Sequence, residues 1–243
     1  VIDKDPYDVD IADFNLANPH LFSSDTLWPW FKRLREADPV HYCRDSMFGP
    51  YWSVTRYDDI MKVDTSHDIY SSEPTITVGD LQEDFQLSMF IAMDRPKHTG
   101  QRRTVAPAFT PAEMKRMDDE IRSRTGELLD SLPKGEVFDW VNKVSIPLTT
   151  GMLAILFDFP WEDRHLLTFW SDWAGDTELS LARELDEERR AILHEMAAYF
   201  QSLWIERTQD KEPGNDLISM MVHSEAMNQM RPEEFIGNLV LLI

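Results

Sequence analysis

Cysteine is almost absent from this sequence, in which Cys43 is the single example. One cysteine forms no disulfide within a chain, and this favours a reducing, cytoplasmic compartment. No Cys-x-x-Cys pair occurs, and His194-Glu195 is not followed by a second histidine at zinc-binding spacing, so no metal motif is predicted. The nine glycines are scattered, which excludes a glycine-rich phosphate loop, and no Gly-x-Ser-x-Gly motif is present. Long apolar runs are also missing, so no membrane span is predicted.

Basic residues are scarce: 24 Lys and Arg stand against 44 Asp and Glu, for a formal net charge of −20. This balance argues against a nucleic-acid partner, because phosphate contacts require a basic surface. Hydrophobic residues make up 42% of the 243 residues, and they include 8 Trp and 13 Phe. A chain of this composition can build a sizeable core, as one large domain or as two small ones.

The scarce cations are concentrated in one place. Arg95, Lys97, His98, Arg102 and Arg103 fall within nine residues, and no carboxylate occurs among them or in the nine residues that follow. Like charges this close repel one another unless an anion lies beside them. The stretch is therefore a candidate anion-binding site.

Residue spacing predicts how this basic stretch is arranged. Pro96 suits the first turn of a helix, because its missing N–H would be unpaired there. In a helix that begins near Pro96, His98 and Arg102 are four residues apart and share one face, whereas Arg103 lies about 100° further round. A histidine and an arginine on one face can hold a carboxylate by charge-assisted hydrogen bonds. The alternative is a solvated helix whose charges meet only water.

Hydrophobic periodicity predicts a mainly α-helical fold with a small β region. Thr110-Pro-Ala-Glu113 is a capping box with proline at the first helical position, and it predicts a helix to about Leu132. Residues 140–157 are predicted to form one buried helix, with Pro147 as the site for a kink. The other predicted helices are 26–37, 57–63, 160–173, 184–207, 216–223 and 232–243, and the predicted strands are 40–43 and 51–55. The apolar stripe of helix 184–207 is predicted to comprise Leu185, Ile192, Met196, Tyr199 and Leu203, with Phe200 and Trp204 beside it.

The last five residues, 239–243, are all apolar. At a free end they would be exposed or frayed, whereas a helix that is apolar all round is normally buried. We therefore expect that the protein continues beyond Ile243 and that the following part completes the core.

Residues 90–103, Phe-Ile-Ala-Met-Asp-Arg-Pro-Lys-His-Thr-Gly-Gln-Arg-Arg, followed by Ala108-Phe-Thr-Pro, resemble the helix C signature of soluble bacterial cytochromes P-450. The common form in that family is Met-Asp-Pro-Pro-Glu-His-Thr-Arg-Leu-Arg-Arg, followed by Ala-Phe-Thr-Pro. This chain departs from that form at Arg95, at Lys97 and at Gly100-Gln101, but it retains His98 and Arg102. In the family these two positions bind the haem propionates, so the resemblance supplies the anion that the basic stretch requires.

Further short matches resemble one subfamily, the bacterial medium-chain alkane hydroxylases, which attack terminal carbons. These matches are 39–43, 47–55, 138–141, 156–161, 215–221 and 237–243. The resemblance implies a cytochrome P-450 fold, of which residues 1–243 form the N-terminal portion of a single haem domain up to the start of helix I. The cysteine thiolate that binds the iron and the acid–alcohol pair that activates O₂ are then expected after Ile243. No catalytic residue and no metal ligand is therefore expected in this segment, and Cys43 is interpreted as structural.

The resemblance implies a haem-thiolate monooxygenase that inserts one oxygen atom of O₂ into an unactivated C–H bond of a hydrophobic small molecule. Terminal hydroxylation of alkanes or related alicyclics is the implied reaction. The implied cofactor is haem b (iron protoporphyrin IX), with O₂ as co-substrate and electrons from NAD(P)H delivered by a ferredoxin reductase and a ferredoxin. An acidic ferredoxin is expected to dock on outward-facing cations. Those cations are Arg95, Lys97, Arg103, Lys115 and Arg116.

The resemblance also implies which other residues form the site. Besides His98 and Arg102, haem contacts are expected from Phe90, Ile91 and Phe109. Residues 76–89 match the loop of the family that roofs the substrate cavity. The expected lining residues are Ile76, Val78, Leu81, Phe85 and Met89, with Val240 and Leu241 contributed by helix I. Plain core or surface packing is the alternative role for each of them.

Two alternative functions stay open. One is a cytochrome P-450 that acts on fatty acids or terpenes, although residues 76–89 contain no cation for a substrate carboxylate. The other is a non-catalytic, all-helical binding domain that uses the basic helix for an anionic ligand.

Overall fold

The computed structural model describes residues 4–79, 87–175, 186–210 and 214–243. In these ranges the chain forms ten α-helices and one antiparallel two-stranded sheet, which confirms the predicted fold class. The helices are α1 Pro19–Ser23, α2 Trp28–Ala37, α3 Tyr57–Thr65, α4 Lys97–Val105, α5 Pro111–Asp130, α6 Ile146–Phe157, α7 His165–Gly175, α8 Asp186–Arg207, α9 Leu217–Val222 and α10 Pro232–Leu242. The strands are β1 Val40–Cys43 and β2 Tyr51–Val54. Among the described helices, none is both long enough and apolar enough to cross a lipid bilayer.

The chain divides into two compact units, of which the first comprises Val1–Gln86 and Ala92–Asp94. It contains α1, α2, α3 and the sheet, in which Val40 lies opposite Val54. Cys43 points to the buried face of β1, is 3% exposed, and donates a hydrogen bond from its thiol to the carbonyl of Asp45, as a small core residue does. The core of this unit consists of Val9, Phe14, Leu16, Leu21, Trp30 and Leu34.

The second unit comprises Leu87–Ile91 and Arg95–Ile243. Its long helix α8 packs against α7, α9 and α10. The predicted apolar stripe of α8 is partly wrong, because the buried residues are Leu193, Met196, Phe200 and Leu203, whereas Ile192 and Tyr199 are half-buried. Two neighbouring stripes of this helix are apolar, and the packing of the other helices decides which one is buried. Leu185 lies outside the described residues.

The predicted continuous helix 140–157 is also wrong in its first part. Residues 141–145 form a π-helical turn, in which the N–H of Ile146 donates to the carbonyl of Val141, and α6 begins only at Ile146. Pro147 has no N–H to donate to the carbonyl four residues earlier, so the regular ladder is interrupted here. Trp140 and Val141 are exposed rather than buried.

Helix α5 begins where the capping box predicts. The hydroxyl of Thr110 accepts a hydrogen bond from the N–H of Glu113 at 3.4 Å. The carboxylate of Glu113 does not complete the box; it accepts from Nε of Arg116 at 2.7 Å. The carboxylate of Glu113 thus binds the guanidinium of Arg116 on the same helix rather than the backbone N–H of Thr110.

Candidate functional site

Helix α4 carries the concentrated cations, and it begins at Lys97, as Pro96 predicts. His98 and Arg102 lie on successive turns, as their spacing predicts. Arg102 and Arg103 occupy the last turn of the helix, where the unpaired carbonyl groups favour positive charge. Gln101 and Val105 form the buried face of α4.

The His98 imidazole is held by the backbone just before α4. Its Nδ1 lies 2.8 Å from the carbonyl oxygen of Phe90. A carbonyl only accepts, so Nδ1 carries a proton and donates it in this bond. The other ring nitrogen, Nε2, is left for a different partner. The Phe90 ring is buried and contacts the imidazole edge to face, with centroids 6.3 Å apart.

Arg102 is exposed and has no hydrogen bond or ion pair with another described residue. Its guanidinium therefore presents five donors in a planar fork that matches a carboxylate. Nε2 of His98 lies one turn away and donates when the imidazole carries both protons, so that the two residues then form a donor set that suits acidic groups. Arg103 is equally exposed and equally without a described partner, but it lies on a different side of the helix.

Lys97 does not project freely into solvent, in contrast to the expectation for a partner-docking cation. Its ammonium group forms an ion pair with Glu234 in the first turn of α10. The same carboxylate accepts from Arg231, with Nη2 at 3.0 Å and Nε at 3.1 Å. Glu234 is only 4% exposed, and a buried carboxylate requires this degree of pairing. Arg116 is likewise engaged with Glu113.

The environment of Glu234 shifts its ionisation. Burial raises the pKa of this carboxyl group, but the hydrogen bonds and positive charges of Lys97 and Arg231 outweigh burial and leave the pKa below its ordinary value. The position of Glu234 at the N-terminus of α10 also favours the ionised form. The ion pair therefore connects α4 to α10 most strongly when the carboxyl group is ionised.

Replacing Glu234 by glutamine is expected to remove a pH-dependent part of the stability. Because the folded pKa is lowered, the contribution is complete above the ordinary carboxyl pKa of 4.5 and is lost as the pH falls through the lowered folded value. The difference in unfolding free energy between wild type and Glu234→Gln should be larger at about pH 7 than at about pH 3, as measured by urea denaturation. Glu233→Gln is the matched control, because the ion pair of Glu233 with Arg231 is more exposed. A difference that does not change with pH would contradict the assignment.

A buried chain of hydrogen bonds also connects α10 to α4. The N–H of Phe90 donates to Oδ1 of Asn238 at 2.8 Å, and Nδ2 of Asn238 donates to Oε1 of Gln101 at 3.0 Å. Gly237, the preceding residue, lies against the backbone of Ser88, and a Cβ atom on it would be 2.5 Å from the Ser88 carbonyl oxygen. The segment 88–90 is therefore fixed against α10 by direct backbone contact and by one side chain.

Sequence reasoning missed the roles of Gln101, Glu234 and Asn238. A signal for Asn238 was present, because it is the one polar residue within the apolar run 236–243 apart from the neighbouring glycine. A lone polar residue in such a run is normally buried with a hydrogen-bond partner. No comparable signal marked Glu234, since acidic residues are common in the first turn of any helix.

The remaining predicted site residues differ in exposure, and they belong to both units. Phe109, in the 3₁₀ turn after α4, is 48% exposed, and Ile91 is 37% exposed. In the second unit Met89, Val240 and Leu241 are half-buried. In the first unit Ile76 and Val78 are more than half exposed. Leu81 and Phe85 lie outside the described residues.

Comparison with known proteins gives the class of this chain. No protein-family model matches it. Linalool 8-monooxygenase from Pseudomonas putida is 28% identical over 242 residues, which cover 94% of this chain and 59% of that protein. Solved structures of bacterial cytochromes P-450 superimpose on the chain with TM-scores up to 0.84. The chain is therefore similar to cytochromes P-450 over most of its own length.

Two of the solved cytochrome P-450 structures are more than 50% identical in sequence to the chain. Cytochrome P-450-153 from Novosphingobium aromaticivorans is 56% identical with a TM-score of 0.84, over 94% of this chain and 58% of that one. CYP153D17 from Sphingomonas sp. is 53% identical with a TM-score of 0.81, over 100% of this chain and 59% of that one. The chain thus spans less than two thirds of the length of its relatives. The resemblance to the family and to this group is confirmed.

Proposed function

We propose that the protein is a haem-thiolate monooxygenase, which inserts one oxygen atom of O₂ into a C–H bond of a hydrophobic small molecule. The similarity of the chain to cytochromes P-450 supports this proposal. The observation that carries it in the chain itself is the donor set on α4. Nε2 of His98 and the guanidinium of Arg102 have no partner among the described residues, and they lie one turn apart on α4.

The donor set fits the acidic groups of haem b. A porphyrin carries two propionates, and a histidine and an arginine one turn apart provide hydrogen-bond donors for carboxylates of this kind. We propose that His98 and Arg102 hold these groups and that Phe90, Ile91 and Phe109 contribute apolar contacts. When bound, haem supplies the activation of O₂, and the protein binds, orients and excludes water. Cys43 is not the iron ligand, because its thiol is buried and bonded to Asp45.

We propose that the substrates are alkanes or related alicyclics, hydroxylated at a terminal carbon. The similarity to the CYP153 structures supports this class. The expected lining residues Met89, Val240 and Leu241 are apolar and half-buried in the second unit. An alkane offers no polar group, so apolar contacts of this kind would have to select the carbon that reacts. The relative named linalool 8-monooxygenase favours a terpene as the second candidate.

We propose that electrons from NAD(P)H reach the haem through a ferredoxin reductase and a ferredoxin. Arg103 and Lys115 are exposed, and neither has a hydrogen bond or ion pair with another described residue. These two cations are better placed to attract an acidic protein than Lys97 and Arg116, which are already paired. Complementary charge mainly accelerates such encounters and makes them sensitive to salt.

A spectrum of the reduced protein with carbon monoxide tests the proposed function. A haem-thiolate protein should show the red-shifted Soret band that gives the family its name, whereas a non-catalytic binding domain should show no haem band. Incubation with an n-alkane, with linalool and with a fatty acid, in the presence of a ferredoxin system, should give a primary alcohol from the alkane as the main product. A clear preference for linalool would favour the terpene alternative, and the absence of any haem band would refute the proposal.

A further inference from the structure

The backbone of Phe90, just before α4, is hydrogen-bonded through both its N–H and its carbonyl group. The N–H of Phe90 donates to Asn238, and the carbonyl of Phe90 accepts from Nδ1 of His98. Both bonds are 2.8 Å long. The position of the Phe90 backbone, between these two bonds, therefore determines where the imidazole finds its acceptor.

The bond from Phe90 also sets the orientation of the Asn238 amide. A backbone N–H only donates, so the atom of Asn238 that meets it is the oxygen, and the nitrogen must point the other way. That nitrogen donates to Oε1 of Gln101, three residues after His98 on the same helix. It also lies 3.2 Å from the sulfur of Met230. Asn238 thus fastens the acceptor of His98 and the helix that carries His98 to the same point of α10.

Gln101 is a buried polar residue whose side-chain amide is only partly hydrogen-bonded. It is 1% exposed, and its Nε2 has no hydrogen-bond partner in the described part of the chain. It also stands where the family signature commonly has leucine. A leucine would fill this position without leaving a buried amide nitrogen unpaired. The unpaired Nε2 of Gln101 lowers the stability of the fold, and the bond between Asn238 and Oε1 of Gln101 opposes that loss.

We propose that Asn238 and Gln101 are positioning residues for His98. By holding the backbone of Phe90, they keep a proton on Nδ1, where it is donated to the Phe90 carbonyl, and direct Nε2 toward a carboxylate of the haem. With Nδ1 already donating to Phe90, Nε2 can donate to a carboxylate only when the ring carries both protons. This inference rests on the proposed haem-binding function, and it adds two residues that do not themselves contact the haem.

The test compares wild type with Asn238→Leu in the haem-bound protein. Nitrogen-15 NMR of labelled histidine reports which ring nitrogen is protonated, and the His98 signal among the seven histidines is assigned with His98→Gln. Wild type should show Nδ1 protonated, and Asn238→Leu should show a fraction of molecules in which Nδ1 carries no proton. Haem transfer to apomyoglobin should be faster in Asn238→Leu by about tenfold, as expected for the loss of one buried hydrogen bond.

Three further variants separate positioning from general stability. Asn238→Asp keeps the acceptor for Phe90 and should restore the proton on Nδ1. Gln101→Leu should shift Nδ1 protonation in the same direction as Asn238→Leu but less, because Asn238 keeps its bond to Phe90. Thr150→Val removes a partly buried hydrogen bond between Thr150 in α6 and Thr168 in α7, and it should leave both Nδ1 protonation and haem transfer unchanged.

The outcomes distinguish this inference from the proposed function. If wild type binds no haem, the proposed function fails. The protonation of Nδ1 of His98 then still reports whether Asn238 holds the backbone of Phe90. If haem binds and His98→Gln loses it faster, but neither Asn238→Leu nor Gln101→Leu changes Nδ1 protonation, only the positioning role is refuted. Equal effects of Asn238→Leu and Thr150→Val on haem transfer would also refute it. Should Asn238→Leu fail to fold, Gln101→Leu and Asn238→Asp decide the question.

Discussion

The double variant His98→Ala with Arg102→Ala should bind haem at least about a hundredfold more weakly than wild type. Each side chain offers a charge-assisted hydrogen bond to a propionate, and such bonds contribute roughly 1.5–3 kcal/mol each. Since 1.4 kcal/mol corresponds to a factor of ten, two of them account for about two to four orders of magnitude. Haem transfer to apomyoglobin and the Soret absorbance per mole of purified protein measure the effect.

Arg103→Ala provides the matched control for this experiment. Arg103 is adjacent in sequence, equally exposed, and without a described partner, but it lies on another side of α4. Its replacement should leave haem affinity close to that of wild type. Undiminished haem retention in the double variant, or an equal loss in Arg103→Ala, would show that the donor set on α4 is not the site.

Gly237→Ala is expected to destabilise the second unit by about 2–3 kcal/mol, at the upper end of the usual range for overpacking. A Cβ atom at this position would lie 2.5 Å from the carbonyl oxygen of Ser88, 2.8 Å from its carbonyl carbon and 3.0 Å from its nitrogen. All three are backbone atoms, so the added methyl group cannot be accommodated by rotation of a side chain. The segment 88–90 must move away from α10, which also lengthens the bond between Phe90 and Asn238. Urea denaturation measures the change in unfolding free energy.

Gly126→Ala is the control for the change of residue type. Gly126 lies inside α5, and a Cβ atom on it would meet nothing within 4 Å. Alanine should stabilise that helix by about 0.5–1 kcal/mol, because glycine is the poorer helix former. Opposite signs for the two substitutions are therefore expected. A stabilising effect of Gly237→Ala would show that α10 and the segment 88–90 are not in contact.

Much of the local structure could be predicted because its causes are local. Pro96 and the capping box at Thr110 mark the beginnings of α4 and α5, and two short runs of strand-forming residues mark β1 and β2. Each of these signals acts within one turn of helix or one strand pair. The prediction of one continuous helix over 140–157 failed in its first part. A proline within a helical pattern predicts a kink, whereas here the hydrogen-bond ladder is interrupted by a π-helical turn over 141–145.

The predicted stripe of α8 failed for a different reason. Ile192 and Leu193 are both apolar, and both belong to regularly spaced apolar positions of the helix. Which one becomes buried depends on where α7, α9 and α10 pack, and that is not encoded within the segment. The structure selects Leu193, whose exposure is 0%. Helical periodicity predicts reliably that a helix has a buried face. It does not decide which of two neighbouring apolar faces is the buried one.

The sequence by itself determined that the chain is mainly helical, that a cluster of cations without carboxylates lies at α4, and that His98 and Arg102 share one face of that helix. These properties follow from composition and from spacing within a few residues. Only the tertiary structure decided that Lys97 is paired, because its partner Glu234 lies 137 residues away. It also decided that Phe90 is held by Asn238, at a separation of 148 residues. Such pairs arise when two helices pack, and packing depends on shape and burial across the whole unit rather than on neighbouring residues.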